Sequence, residues 1–222
     1  MAGLAGPGQT CAARPVAGPA RRADALTRPP LCHQQARRVK RPSGLRGCLM
    51  PAFLITGNPG SGKSALGREL ARRGLLAIDP DYDAELSHWE DAAGNRVCGP
   101  QRPDEKWLAS HRWVWSRCRM EEMLAGHDRA VFVCGIARNQ DKLLDLFDRV
   151  FLLHIDAQTQ EARLDAHDAL NPPGRSEAGR QEIREGRAVF EAQMLRHGAI
   201  AIDAAAPPAT VADELLALVA AT

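Results

Sequence analysis

From residue 50 onward the chain alternates short apolar runs with stretches whose apolar positions recur at helical spacing. Ala52-Phe53-Leu54-Ile55-Thr56 is continuously apolar, as expected of a strand buried on both faces. A helix over about 63–73 follows, stopping near Gly74, and Leu75 to Ile78 reads as a second strand. Residues 84–103 show no period and read as irregular, with a turn at Ala93-Gly94-Asn95. Asp104 is placed to cap a long helix running to about Gly126. Ala130 to Cys134 is the third strand, broken by Gly135, and 139–147 is helical. Arg149 to Ile155 is the fourth strand, and Thr159 to about Ala169 a helix, interrupted by Asn171-Pro172-Pro173-Gly174. Glu177 to His197 is a further helix, Ala199 to Ile202 a fifth strand, and 209–221 the last helix.

Five strands separated by helical crossovers imply an α/β fold with a parallel sheet covered by helices on both faces. The turn-rich stretch 169–180 between two helices is a candidate lid.

Charge divides the chain. Residues 1–49 hold nine of the 29 Lys and Arg residues and one of the 27 Asp and Glu, leaving 20 positive against 26 negative charges in 50–222. The mildly acidic body gives no reason to expect nucleic-acid affinity over a broad surface. The tail 1–49 lacks Phe, Tyr, Trp and Ile and cannot offset its ordering entropy, so it reads as disordered. Three origins stay open for it: a basic arm, a transit segment, or untranslated sequence with the start at Met50. No apolar run approaches the ~18 residues of a membrane span. The six cysteines form no CxxC pair, so neither a zinc site nor a disulfide framework is indicated. The resulting expectation is a cytoplasmic location; oligomeric state is not readable.

The densest chemistry lies at Gly57-Asn58-Pro59-Gly60-Ser61-Gly62-Lys63-Ser64, a complete P-loop pattern between a strand and a helix. Its glycines let backbone N–H groups face a phosphate, and the helix N-terminus adds a favourable potential. Gly57 through Ser64, with Ala65, form the expected nucleotide-binding set. Lys63 reaches the β/γ-phosphates and Ser64 offers its hydroxyl to Mg²⁺.

On this loop in this setting the chain resembles the small P-loop kinases, the group of nucleoside monophosphate, shikimate and gluconate kinases. The resemblance spans nearly all of 50–222, with 82–126 as the acceptor-side subdomain. It implies a five-stranded parallel sheet, a lid, and ATP with Mg²⁺ as cofactors. Asp79-Pro80-Asp81 looks like the Asp-x-Asp of the shikimate kinase branch, which implies metal holding for Asp79 and contact with the acceptor hydroxyl for Asp81. The plainer reading is a polar turn with Asp81 or Asp83 as a helix cap. Gly135-Ile136-Ala137-Arg138 resembles the Gly-x-x-Arg turn of adenylate kinase-like enzymes, implying that Arg138 grips an acidic handle of the acceptor. Gln140 is a candidate reader of a polar acceptor edge, although the family places its glutamine further on. The alternative for this stretch is Asn139 as an N-cap with Arg138 solvated. Arg163 stands where the family contacts adenine or phosphates, with His167 in place of a second arginine. Arg175 is the candidate lid arginine, with Arg180, Arg184 and Arg187 behind it, and surface ion pairing is the competing role for Arg184 and Arg187. The strand Val131–Cys134 lacks a terminal Walker B acid.

All four tryptophans lie in 82–119, and for at least two of them packing is the expected role. The expected activity is ATP-dependent phosphoryl transfer to a small polar or anionic acceptor, with Lys63, Asp81 and Arg175 carrying it. Two rivals remain: a nucleotide-binding switch or slow ATPase, and an ATPase that uses the basic tail on nucleic acid.

Overall fold

In a computed structural model, residues 50–100, 103–166 and 177–221 are described. The elements are β1 (Ala52–Thr56), α1 (Lys63–Arg72), β2 (Leu76–Ile78), a 3₁₀ turn (Pro80–Tyr82), β3 (Ser87–Glu90), β4 (Arg96–Val97), α2 (Glu105–Ser110), β5 (Arg112–Trp115) and α3 (Arg117–Ala125). There follow β6 (Val131–Cys134), a second 3₁₀ segment (Gln140–Leu146), β7 (Arg149–His154), α4 (Ala157–Ala166), α5 (Glu177–Arg196), β8 (Ile200–Asp203) and α6 (Pro208–Ala220).

The main sheet is five-stranded and parallel, in the order β2-β6-β1-β7-β8. The first strand in sequence, β1, lies in the middle, between β6 and β7, and is buried on both faces along its whole length. Ala52 and Leu54 join one core with Trp115, Met120, Val133, Leu152 and Met194. Phe53 and Ile55 join the other, with Leu66 and Leu70 of α1, Phe132, Phe151 and Leu215 of α6. This odd–even division is the two-residue period of a strand whose two faces are both covered. The chain goes out from β1 to β2, back to β6 beside β1, then to β7 on the far side. The reversal puts a crevice at the carboxyl ends of β1 and β6, where open α/β sheets bind ligands.

The region before α3 departs from the sequence expectation. In place of one helix over 104–126 there are a short α2, the strand β5 and then α3. Trp113-Val114-Trp115 is aromatic and β-branched, a composition that favours strands. His111 turns extended after α2, and Ser116 caps α3 by accepting from Arg119 N at 3.4 Å. The stretch expected to be irregular supplies β3 and β4, and the three strands form an antiparallel sheet in the order β4-β3-β5. The turn expected at 93–95 joins β3 to β4, with Gly94 at φ 83°. The helix expected over 139–147 is the tighter 3₁₀ segment. Among the described residues no helix is long and apolar enough to cross a membrane.

Candidate active site

The loop leaving β1 closes tightly on itself. A Cβ at Gly57 would lie 2.6 Å from Ser61 Oγ and 2.7 Å from the Leu153 carbonyl, so only glycine fits there. Gly62 is left-handed at φ 97° and opens α1 without a side-chain cap. The first turn of α1 therefore keeps N–H groups that no side chain satisfies, the usual electrostatic setting of an anion site. Ser61 Oγ is buried and has no hydrogen-bond partner. Lys63 Nζ donates to the carbonyls of Gly57 at 2.7 Å and Asn58 at 3.0 Å, folding back over the loop. Burial lowers its pKa from 10.5 to about 8, with the charges of Asp81 and Asp79 opposing the shift.

Groups that the sequence analysis did not identify hold the loop. Gln160 of α4 is buried and donates through Nε2 to the Pro59 carbonyl at 2.9 Å. Glu191 of α5 accepts from Asn58 Nδ2 at 3.4 Å and pairs with His154 Nδ1 at 3.0 Å. Neither residue carries a local pattern; both act across more than 100 positions. Arg163 lies beside the loop. Its Nη1 donates to Ser61 O at 3.4 Å, and its Nη2 to Ala204 O at 2.8 Å and Ala205 O at 3.1 Å. It thereby ties α4 and the loop to the segment after β8.

The carboxyl end of β2 brings two carboxylates to the same place. Asp79 Oδ2 accepts from Ser64 Oγ at 3.5 Å, and Asp79 Oδ1 caps the 3₁₀ turn by accepting from Asp81 N at 3.1 Å. The cap is thus Asp79, while Asp83 closes the next turn by accepting from Glu85 N at 2.9 Å. Asp81 Oδ1 accepts from Trp113 Nε1 at 2.8 Å. Although Asp81 as a residue is exposed, withdrawal of its carboxyl from water raises the pKa. Asp79 adds to the shift, while the Trp113 hydrogen bond and the Lys63 charge counteract it. Lys63, Ser64, Asp79 and Asp81 thus meet at one end of the sheet, between the loop after β1 and the small second sheet.

Beyond β6, Gly135 lets Trp115 and Pro80 pack under this site; a Cβ there would lie 2.8 Å from Trp115 Cζ2 and 3.1 Å from Pro80 Cδ. Asn139 does not cap the 3₁₀ segment with its side chain. Its Oδ1 accepts from Trp115 N at 3.0 Å and its Nδ2 donates to Trp115 O at 2.9 Å, clamping β5 to the main sheet. Arg138 is exposed and paired with Glu182 of α5. Gln140 is 3% exposed, and its amide is engaged internally. Its Oε1 accepts from Thr56 Oγ1 at 3.1 Å and Ala137 N at 3.4 Å, and its Nε2 lies 3.2 Å from Met194 Sδ. This corrects the expectation that Gln140 reads the acceptor: it braces the ends of β1 and β6 instead.

Arg175, His167 and most of the 169–180 stretch lie outside the described residues. The arginines after it are engaged on neighbours: Arg180 with Asp165, Arg184 with Glu161 at 3.0 Å, and Arg187 with the Ile155 carbonyl at 2.9 Å. Among the described residues no group of three or more His, Cys, Asp and Glu could hold a metal.

No family model matches the chain, and no curated protein matches it in sequence. Among solved structures, a shikimate kinase from Acinetobacter baumannii in complex with shikimate is similar at a TM-score of 0.51 and 19% identity, over 78% of this chain and 94% of that one. The fold is that of the P-loop small-molecule kinases. A gluconokinase from Sinorhizobium meliloti 1021 is similar at a TM-score of 0.44 and 22% identity, over 78% of this chain and 93% of that one. A deoxyadenosine kinase from M. mycoides is similar at 0.48 and 13%, over 77% and 100%.

Proposed function

We propose that this chain transfers the terminal phosphoryl group of ATP to a hydroxyl of a small polar or anionic acceptor. One observation carries the reading: Lys63, Ser64, Asp79 and Asp81 converge beside the glycine-rich loop that leaves β1. The backbone N–H groups of 57–65 and the Lys63 ammonium bind the β- and γ-phosphates. Arg163, bonded to the segment after β8, holds the purine-side wall in register with the loop.

Asp81 takes the acceptor hydroxyl. The acceptor oxygen bonds to the γ-phosphorus as the bond from phosphorus to the β–γ bridging oxygen breaks. ADP leaves with that oxygen, and the hydroxyl proton passes to the Asp81 carboxylate. A carboxyl whose proton affinity is raised by burial suits this work. Arg138 supplies an acidic handle's counter-charge once Glu182 yields, and such an exposed pair costs only about 0–1 kcal/mol to break. Arg175 is assigned to the developing charge on the equatorial oxygens.

Ser64 and Asp79 fit Mg²⁺: both are hard oxygen donors, they lie 3.5 Å apart, and this ion commonly takes one or two protein oxygens and completes its shell with phosphates and water. When bound, the ion neutralises phosphate charge.

The test is ATP-dependent phosphorylation over a panel of acceptors that includes shikimate, gluconate and deoxyadenosine, followed by mass detection of the product. Transfer to a panel member supports the reading. Phosphate release with no acceptor phosphorylated favours the slow ATPase instead.

A further inference from the structure

We propose that Trp113 is a positioning residue that sets the acceptor side of the cleft, holding Asp81 through its side chain and Arg138 through its backbone. This rests on the phosphoryl-transfer reading above. The two acceptor-facing groups come from separate elements, Asp81 from the turn after β2 and Arg138 from the segment after β6. Trp113 meets both. Its indole Nε1 donates to Asp81 Oδ1 at 2.8 Å. Its carbonyl accepts from Arg138 N at 2.9 Å.

The ring is itself held. Trp89 pairs opposite Trp113 in the small sheet and packs edge-on against it, with centroids 5.2 Å apart. Trp89 in turn meets Trp107 edge-on at 6.2 Å. Two residues along the same strand, the Asn139 clamp fixes the Trp115 backbone. The Asp81 backbone is fixed separately by the Asp79 cap.

A carboxylate on a fixed backbone with one oxygen bonded has the direction of its other oxygen determined. The indole N–H is a donor only and takes Oδ1. Oδ2, which bonds to no described residue, is the oxygen presented to the hydroxyl. The small second sheet thus aims the group that receives the proton, and the tryptophans form a single support for it. Such aim matters because a displacement of about 1 Å can cost about a hundredfold in rate.

The test replaces Trp113 with β-(3-benzothienyl)alanine, which keeps the fused rings and the backbone carbonyl and removes the N–H. Trp113→Phe is the companion variant. On the full chain, two quantities are measured: transfer from ATP across the same acceptor panel, and affinity for a nonhydrolysable ATP analogue. Expected is a fall in kcat of about 10- to 100-fold at unchanged analogue affinity. No further fall is expected when the replacement is combined with Asp81→Asn, since the two act as one unit. A role confined to packing would lower stability without this split. A benzothienyl protein with native kcat, while Asp81→Asn is inactive, overturns the positioning role and leaves the phosphoryl-transfer reading standing. If Asp81→Asn itself keeps native transfer, the role given to Asp81 falls, and the role of Trp113 with it. A readout independent of turnover is solvent exchange of the Trp113 indole N–H: it should quicken about tenfold or more in Asp81→Ala, and an unchanged rate also overturns the proposal.

Discussion

Lys63 has an ordinary pKa of 10.5, and burial in the loop brings it to about 8. That interval corresponds to about 3 kcal/mol at ~1.4 kcal/mol per pH unit. The side chain is only half-buried, so solvent screening reduces the expected stability effect to about 1–2 kcal/mol. The direction follows from proton counting. Between pH 8 and 10.5 the unfolded lysine keeps its proton while the folded one has released it. The unfolded state therefore binds more protons, and stability gained from this residue rises with pH across that window. Below pH 8 both states are protonated, and the folded state bears the full cost of the buried ammonium. Urea unfolding of the wild-type chain and of Lys63→Met, at pH 7.5 and again at pH 10.5, isolates the effect from other titrating groups. The wild-type minus variant difference should move by about 1–2 kcal/mol in favour of the wild type at the higher pH. Titration of the Lys63 side-chain carbon by NMR should show a midpoint near 8, and ATP should move it upward, because triphosphate favours the charged form. A stability difference that is flat with pH, together with a midpoint at 10.5, would refute the claim that the loop encloses this ammonium.

Three further outcomes are expected. Gly135→Ala places a methyl 2.8 Å from the Trp115 ring and 3.1 Å from Pro80, both held by their surroundings. A loss of about 1–3 kcal/mol in chemical unfolding follows from overpacking, and an unchanged midpoint would mean that the two rings move apart freely. Asn139→Ala removes both hydrogen bonds to the Trp115 backbone. About 1–3 kcal/mol should be lost, with faster amide exchange concentrated in β5; uniform exchange across the domain would contradict a local clamp. Burial pushes the Cys134 thiol up to about 12. It should resist iodoacetamide at pH 8.5 in the native protein while the exposed Cys118 thiol reacts, as read by peptide mass mapping. Prompt native labelling at Cys134 would place it at the surface.

What the sequence reveals and conceals follows from the range of each determinant. The glycine-rich loop after β1 is local: eight consecutive residues specify the turn, and the apolar run before it marks a strand buried on both faces. The central parallel strands are legible for the same reason, since both-face burial leaves an unbroken apolar run in β1, in β6 and over 150–153 of β7, whereas β2 and β8 are only partly buried. The second sheet is not. Trp107, Trp113 and Trp115 lie at spacings a helix tolerates, and the strand appears only because β3 is there to pair Trp89 with Trp113 and Ser87 with Trp115. Gln140 shows the same limit on the scale of one side chain. Its position after Arg138 invited a role in the cleft, but Thr56, 84 residues earlier, supplies a buried partner that only the assembled sheet brings close. An amide in that position costs little only if every bond is made inside, so its partners, not its neighbours in sequence, decide its work. The same logic makes Trp113 the informative residue at the acceptor edge. Nothing in Arg112-Trp113-Val114-Trp115 marks an indole as a polar group, yet its one donor ends on the carboxylate that the proposed transfer depends on.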